Sequence, residues 1–189
     1  MGSDLLNQKV MKRLDELIPR KNPCNIRNTS ISGTHTHSAP GGFHQYALYQ
    51  ITSLGFVHET MDAFVEGIAQ SITKAYQHLQ LGSIQAARGK LWNANINRSP
   101  SAYLLNPTEE RELYTGDGNT DKDMLLLKMT KYSDEKEAQS VKKDGEILGV
   151  LNWSPVHETS MNSTNKLISG DKKGYASYLL EKTFNPNGT

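Results

Sequence analysis

Residues Ser32–Phe43 restrict the fold more than any other part of this sequence, because hydroxyl side chains alternate there with two histidines before a Pro-Gly-Gly run. In an extended segment, successive side chains point to opposite faces, so His35 and His37 are expected on the same face. The glycines of Pro-Gly-Gly allow positive φ angles and a close approach of the backbone, which suits the wall of a pocket. The stretch therefore predicts a pocket with two imidazoles on one side.

The two imidazoles indicate a metal site. Neutral imidazole is the commonest protein metal ligand, and a His-x-His pair is a frequent first half of a zinc site. A catalytic zinc ion usually takes three protein ligands and a structural one takes four, so further ligands must come from elsewhere in the chain. From the pair alone, a polar loop with two solvated histidines is an equally open interpretation.

Composition excludes several other classes of protein. The 189 residues allow one domain or most of one, and the net charge of +1 argues against a nucleic-acid surface, which needs a clustered excess of Lys and Arg. The only cysteine, Cys24, cannot form an intrachain disulfide. The sequence contains no run of about 18 apolar residues, which is the length that predicts a membrane span. Its N-terminus lacks a signal-peptide pattern. Glycosylation sequons, which favour the secretory route, begin at Asn28, Asn152, Asn162 and Asn187.

Hydrophobic periodicity predicts both helices and strands. The helices expected are Asp4–Ile18 with Asp4 as N-cap, His58–Leu81 and Gly170–Phe184. The strands expected are Ile26–Gly33, one or two within Ser83–Ile96, and a hairpin of Met124–Tyr132 and Glu146–Trp153. We expect the helix His58–Leu81 to pack on this sheet. The strand Ile26–Gly33 would deliver the histidine pair to its C-terminal end, where sites of α/β sheets are commonly found.

Four stretches resemble motifs of the neutral ceramidases, in the same order along the chain. Ser32–Phe43 resembles the signature SGTHTHSGPGGF, with Ala39 in place of a glycine. Later stretches resemble NINRSP (Asn95–Pro100), VHPTSMN (Val156–Asn162) and ISSDNKGYAS (Ile168–Ala176). Around the histidine of the third motif the sequence departs, since Ser154-Pro155 precede it and Glu158 follows where the family typically has proline.

The resemblance implies a fold of the α/β class. The family's catalytic domain has layered αββα architecture, and this chain would be a partial piece with a mixed sheet and flanking helices. Residues 1–189 are then expected to be part of one zinc-dependent amidohydrolase catalytic domain, truncated on the C-terminal side and also on the N-terminal side.

The resemblance also implies an activity, namely zinc-dependent hydrolysis of the N-acyl amide of ceramide, presented at a membrane or micelle surface, to sphingosine and a free fatty acid. His35 and His157 would be ligands of one zinc ion, with their nitrogens about 3–5 Å apart. His37 would hydrogen-bond the reacting oxygen or move a proton, and Arg98 would hold the carbonyl or oxyanion. Ser160, Asn162 and Asn165 carry polar groups that could support the residues of the site. The full-length protein would follow the secretory route.

Other residues that the family uses cannot be matched in this sequence. A glutamate, a tyrosine and an active-site serine in a GDVSPN-like motif lie later in family members. The chain alone is therefore expected to bind zinc weakly and to lack ceramidase activity. Two alternatives stay open: a non-catalytic ceramidase-like fragment that binds lipid or a protein partner, and a different metal hydrolase that uses His-x-His with a distant histidine.

Overall fold

A computed structural model describes residues 3–18, 20, 22–114, 119–132, 136 and 145–187. Contacts between Cα atoms divide the chain into two compact units, Met1–Leu79 with His157–Thr189, and Gln80–Val156. Within the described residues, no helix has both the length and the apolar character that crossing a membrane requires.

The helices and strands of the described residues are given in chain order. They are α1 (Asp4–Leu17), α2 (Ala47–Gln50), α3 (His58–Gln77), β1 (Gly82–Lys90), α4 (Pro100–Tyr103), α5 (Thr108–Glu112), β2 (Asp123–Lys131), β3 (Glu146–Trp153) and α6 (Asp171–Phe184). The first unit holds α1, α2, α3 and α6, and the second holds the three strands with α4 and α5.

The first unit is built on the packing of α1 against α3. Apolar side chains at helical spacing face each other there, and the buried ones are Leu6, Val10, Leu14, Ile18, Met61 and Ala69. Full burial of a side chain such as Leu14 stabilises the fold by roughly 1.5–3 kcal/mol. Arg13 joins the two helices at the surface, because its Nε donates a hydrogen bond of 2.7 Å to Oε2 of Glu66. Arg13 holds the pKa of that carboxyl below its ordinary value.

The second unit is built on a three-stranded sheet in the order β1-β2-β3. Both strand pairs are antiparallel, with Ala86 opposite Leu127 in the first pair and Leu127 opposite Leu151 in the second. An irregularity between Met129 and Thr130 shifts the register of β2 on β3. Strands β2 and β3 therefore confirm the predicted hairpin, although most of its connection, residues 133–144, lies outside the described residues.

Helices together with a β-sheet agree with the predicted α/β class, but several details of the prediction were wrong. Residues 26–33 form no strand; a turn at residues 26–28 is followed by irregular chain. The described sheet is antiparallel throughout, whereas a mixed sheet was predicted. Helix α3 ends at Gln77, earlier than predicted, and Ser3 rather than Asp4 caps α1, since its Oγ accepts a hydrogen bond from the Leu6 amide at 3.3 Å.

The side chains of two asparagines explain the turn at residues 26–28, which takes the place of the start of the predicted strand. Oδ1 of Asn25 accepts from the Arg27 amide at 2.9 Å, and Oδ1 of Asn28 accepts from the Asn25 amide at 2.7 Å. Asparagine side chains that bind nearby backbone groups in this way offer the chain an alternative to ladder pairing. The prediction counted apolar residues and missed this competition.

Candidate metal and catalytic site

The loop that carries the histidine pair is irregular, and hydrogen bonds to a distant segment hold it in place. Thr36 Oγ1 donates to the Ser169 carbonyl at 2.6 Å, and the Ser169 amide donates to the Ser38 carbonyl at 2.9 Å. His35 has a φ of 64°, in the left-handed region. The same-face argument from an extended strand therefore does not describe this loop, since its backbone turns at the first histidine.

Three histidines nevertheless come together. The ring centroids of His35 and His37 lie 5.2 Å apart, and each ring lies 4.6 Å from that of His157. One nitrogen from each ring lies within 4.8 Å of the other two, and all three side chains are exposed. The predicted convergence of His35 and His157 is thus present, and His37 takes part in it equally.

Hydrogen bonds connect the segment that follows His157 to the start of α6. Oδ2 of Asp171 accepts hydrogen bonds from the amides of Ser160 at 3.0 Å and Met161 at 3.2 Å. Oδ1 of Asp171 accepts from the Lys172 amide at 2.6 Å. Hydrogen bonding, from the Ser160 side chain first, holds the pKa of Asp171 below its ordinary value in spite of burial, so this carboxylate is ionised at neutral pH.

Beside His157 lies a second carboxyl group in a different environment. Glu158 is 0 % exposed, and among the described residues neither of its carboxyl oxygens accepts a hydrogen bond of acceptable geometry. Burial, and after it the Asp171 carboxylate, raises the pKa of Glu158, in spite of the positive charges of Lys173 and Lys172 and of the nearby Lys173 backbone amide.

The Pro-Gly-Gly turn places the histidine loop against the start of α3. Gly42 has a φ of +83°, as a glycine turn permits, and its carbonyl accepts a hydrogen bond of 2.8 Å from the Val57 amide. The next residue, Phe43, stacks on His44 and meets Phe64 of α3 edge to face. Burial lowers the pKa of His44, which favours its neutral form.

Arg98 lies in the second unit, exposed, in the segment between β1 and α4. The local backbone is shaped by Asn97, whose Oδ1 accepts from the Ser99 amide at 2.8 Å. Asn95 orders the same segment, since its Nδ2 donates to the Pro155 carbonyl at 2.7 Å and its Oδ1 accepts from Thr120. A role for Arg98 in the site stays a prediction.

The residues expected to support the site differ in what they do. Asn165 reaches the histidine loop, because its Nδ2 donates to Ser38 Oγ at 3.1 Å. Asn162 instead accepts from Thr164 within its own turn. Asp171 was missed by the sequence argument. The signal for it was its position in the stretch resembling ISSDNKGYAS, but its hydrogen-bond partners follow only from the tertiary structure.

The donor set fits a metal ion that prefers nitrogen ligands. Ligands at ~2.0–2.1 Å from a zinc ion lie about 3–4 Å apart, and small rotations of exposed rings can close a spacing of 4.8 Å to that range. Imidazole suits Zn²⁺, Cu²⁺ and Ni²⁺ alike, so the donors alone do not select zinc. Exposure of all three rings leaves them accessible to an ion and to a further molecule from solvent.

Comparisons with known proteins give the same family across the whole chain. The family model described as neutral/alkaline non-lysosomal ceramidase, N-terminal, matches residues 1–189. "Neutral ceramidase B" of Dictyostelium discoideum is 49% identical over 162 residues, which are 86% of this chain and 21% of the relative. "Neutral ceramidase" of Drosophila melanogaster is 43% identical over 182 residues, 96% of this chain and 24% of the relative.

A solved structure agrees with the fold. The crystal structure of neutral ceramidase from Pseudomonas aeruginosa matches 97% of this chain with a TM-score of 0.73 and 34% identity, and the chain covers 26% of that protein. The α/β class is thereby confirmed. The chain spans only about a quarter or less of the length of these relatives.

Proposed function

Because this chain belongs to the neutral/alkaline non-lysosomal ceramidase family, we propose that it forms part of an enzyme that hydrolyses the N-acyl amide of ceramide to sphingosine and a free fatty acid. The observation that carries the proposal is the cluster of His35, His37 and His157, which lies in the motifs that resemble the family. The relatives that carry the name ceramidase are longer, and this chain covers 21–24% of their length.

His35 and His157 are the proposed ligands of one zinc ion. They come from two distant parts of the chain and place a nitrogen each within 4.8 Å of the other. A zinc ion held there would act as a Lewis acid and lower the pKa of a bound water to roughly 7. The two exposed rings orient the site toward solvent, where a substrate can reach it.

His37 is the proposed proton carrier of the site. Its ring lies 4.6 Å from that of His157 and so within reach of the same reacting atoms. Histidine changes its charge near neutral pH, which allows it to accept a proton from the attacking water and to return one to the leaving amine. The overall reaction consumes one water molecule. The C–N bond of the amide breaks, and a carboxylic acid and an amine form.

Arg98 is the proposed donor for the amide oxygen. Its guanidinium carries several N–H groups in a fixed plane, a geometry that suits an oxygen on which negative charge develops. The exposed position of Arg98 leaves these donors available to a substrate. Ceramide is insoluble in water, so we propose that the protein takes it from a membrane or micelle surface, after secretion of the full-length protein.

The proposal is tested with single variants of the full-length protein that carries this chain. His35→Gln and His157→Gln should each lose bound zinc and ceramide hydrolysis, because each removes a ligand. His37→Gln and Arg98→Ala should keep stoichiometric zinc and lose turnover, the latter by about 10²–10³-fold for one oxyanion donor. Metal content and fatty-acid release are measured on the same preparations.

The control is His78→Gln, which removes a histidine whose Nδ1 contacts the Lys74 carbonyl at the end of α3. It should keep both zinc and activity. Undiminished hydrolysis in His35→Gln or His157→Gln would refute the proposed site. Equal zinc loss in His37→Gln and His35→Gln would make His37 a third ligand and refute its role as proton carrier.

A further inference from the structure

The three imidazoles belong to two chain segments, and neither segment is helix or strand at its histidines. His35 and His37 lie in the loop before the Pro-Gly-Gly turn, and His157 begins the segment that leads to α6. Long irregular segments need added contacts to fix side chains within the ~0.5 Å that a metal or catalytic site requires.

Asp171 is the point at which both segments meet. Its Oδ2 binds the Ser160 and Met161 amides, three and four residues after His157. Its own amide donates to Ser169 Oγ at 3.1 Å. Ser169 in turn pairs with the histidine loop through Ser38 and Thr36.

The burial, charge and backbone conformation of Asp171 are each unfavourable in free energy. The residue is 7 % exposed, carries an ionised carboxylate and adopts a φ of 52°, which a residue with a side chain rarely adopts. Backbone strain of this kind persists only where the surrounding contacts over-determine it. Three backbone amides converge on its two carboxylate oxygens, and hydrogen bonds to an ionised acceptor are about twice as strong as neutral ones.

We propose that Asp171 is the positioning residue of the histidine cluster: it joins the segment of His157 to the loop of His35 and His37 and so holds the three imidazoles together. The inference deepens the proposed function and rests on it for the identity of the metal. Asp171 is not one of the clustered groups that could hold a metal ion. It acts through the backbone of both segments.

The test uses the 189-residue chain and the variant Asp171→Asn. An asparagine tolerates a positive φ but offers one acceptor oxygen and an NH₂ group that can only donate, so it cannot satisfy both groups of amides. Asp171→Gly is the second variant, because it removes every acceptor and leaves the backbone free to adopt the same φ. Asp123→Asn is the matched control, since it removes a carboxylate that binds Arg88 and Lys90 in the second unit.

The readout is the NMR spectrum of the histidine rings in the metal-free chain. The native chain should show cross-peaks from His157 to His35 and to His37, as centroid distances of 4.6 Å require. Asp171→Asn and Asp171→Gly should lose these two cross-peaks and keep the one between His35 and His37, which share a loop. A general loss of stability would not separate the rings in this selective way.

The same samples are then titrated with Zn²⁺. We expect Asp171→Asn to bind zinc about 10–100-fold more weakly than the native chain, the usual effect of removing a residue that orients ligands. Asp123→Asn should match the native chain in both readouts.

The outcomes separate this inference from the proposed function. Cross-peaks from His157 that persist in Asp171→Gly, or that are missing from the native chain, would overturn the positioning role. A native chain that shows the cross-peaks but shifts no histidine signal with zinc would count against the metal site, while the variants would still decide the role of Asp171.

Discussion

At the scale of single residues, Glu158 shows how one buried side chain beside the site affects stability. Its side chain is fully buried, lies near the Asp171 carboxylate and has a raised pKa. Burial penalises the ionised form of this carboxyl, so we expect Glu158 to lower the stability of this chain at neutral pH, where an ordinary glutamate is charged.

Replacing Glu158 with glutamine should therefore raise the free energy of unfolding at pH 7. The folded chain holds a proton on Glu158 more tightly than the unfolded chain does, so the ionic penalty is full above the raised pKa and vanishes below the ordinary one. The gain from Glu158→Gln should shrink as the pH falls toward 4. Urea unfolding with a chelator present measures it, and Glu181→Gln, the same change at an exposed residue of α6, is the control. A loss of stability at pH 7 would contradict this account.

At the scale of elements, the histidine loop depends on its contact with α3. Gly42 lies against Val57, the residue before the first turn of α3, and Phe43 packs against Phe64 within that helix. Helix α3 is in turn fixed by its buried face against α1. The loop therefore takes its position from the best-packed part of the first unit.

Gly42→Ala should destabilise the chain and disturb the loop. A Cβ atom at this residue would lie 2.5 Å from Val57 Cγ2, and the φ of +83° would cost roughly 1–2 kcal/mol more for any residue with a side chain. Gly41→Ala is a close control, since a Cβ there meets nothing within 4 Å. Thermal unfolding compares the two, and equal melting temperatures would contradict the described contact.

The elements also show what the sequence could and could not predict. Helices α1 and α3 carry apolar residues at helical spacing, and β2 and β3 are short apolar runs; these elements and α6 were predicted to within a few residues. The strand prediction for residues 26–33 was wrong at its start because asparagine side chains accept hydrogen bonds from the backbone amides there. Hydrophobic periodicity contains no information about such bonds. The histidine cluster was predictable from its motifs, whereas the link through Asp171 depends on contacts between segments far apart in the chain.

At the scale of the whole molecule, little charge opposes association. The net charge is +1 at pH 7, and several large apolar side chains are highly exposed, among them Leu54 at 96%, Leu105 at 87% and Ile96 at 82%. A net charge near zero gives weak electrostatic repulsion between copies, so exposed apolar groups are free to meet.

We expect the purified chain to self-associate at pH 7–8 and to disperse as the pH falls toward 6. Imidazole ordinarily gains its positive charge as the pH falls through this range, and the sequence has six histidines. Sedimentation velocity at two pH values measures the change. A single monomeric species at both would contradict the expectation.

The distance along the chain between the two parts of the histidine cluster sets an order of events during synthesis. The hydrogen bond from Thr36 to Ser169 spans 133 residues, and the compact unit Gln80–Val156 is made between them. A ribosome adds about 5–20 residues per second, so roughly 6–25 s pass between the synthesis of His37 and that of His157. Contacts of such long sequence separation also form late in folding. The nascent chain thus offers two imidazoles well before the third, and we expect the proposed metal ion to bind only after synthesis has passed α6.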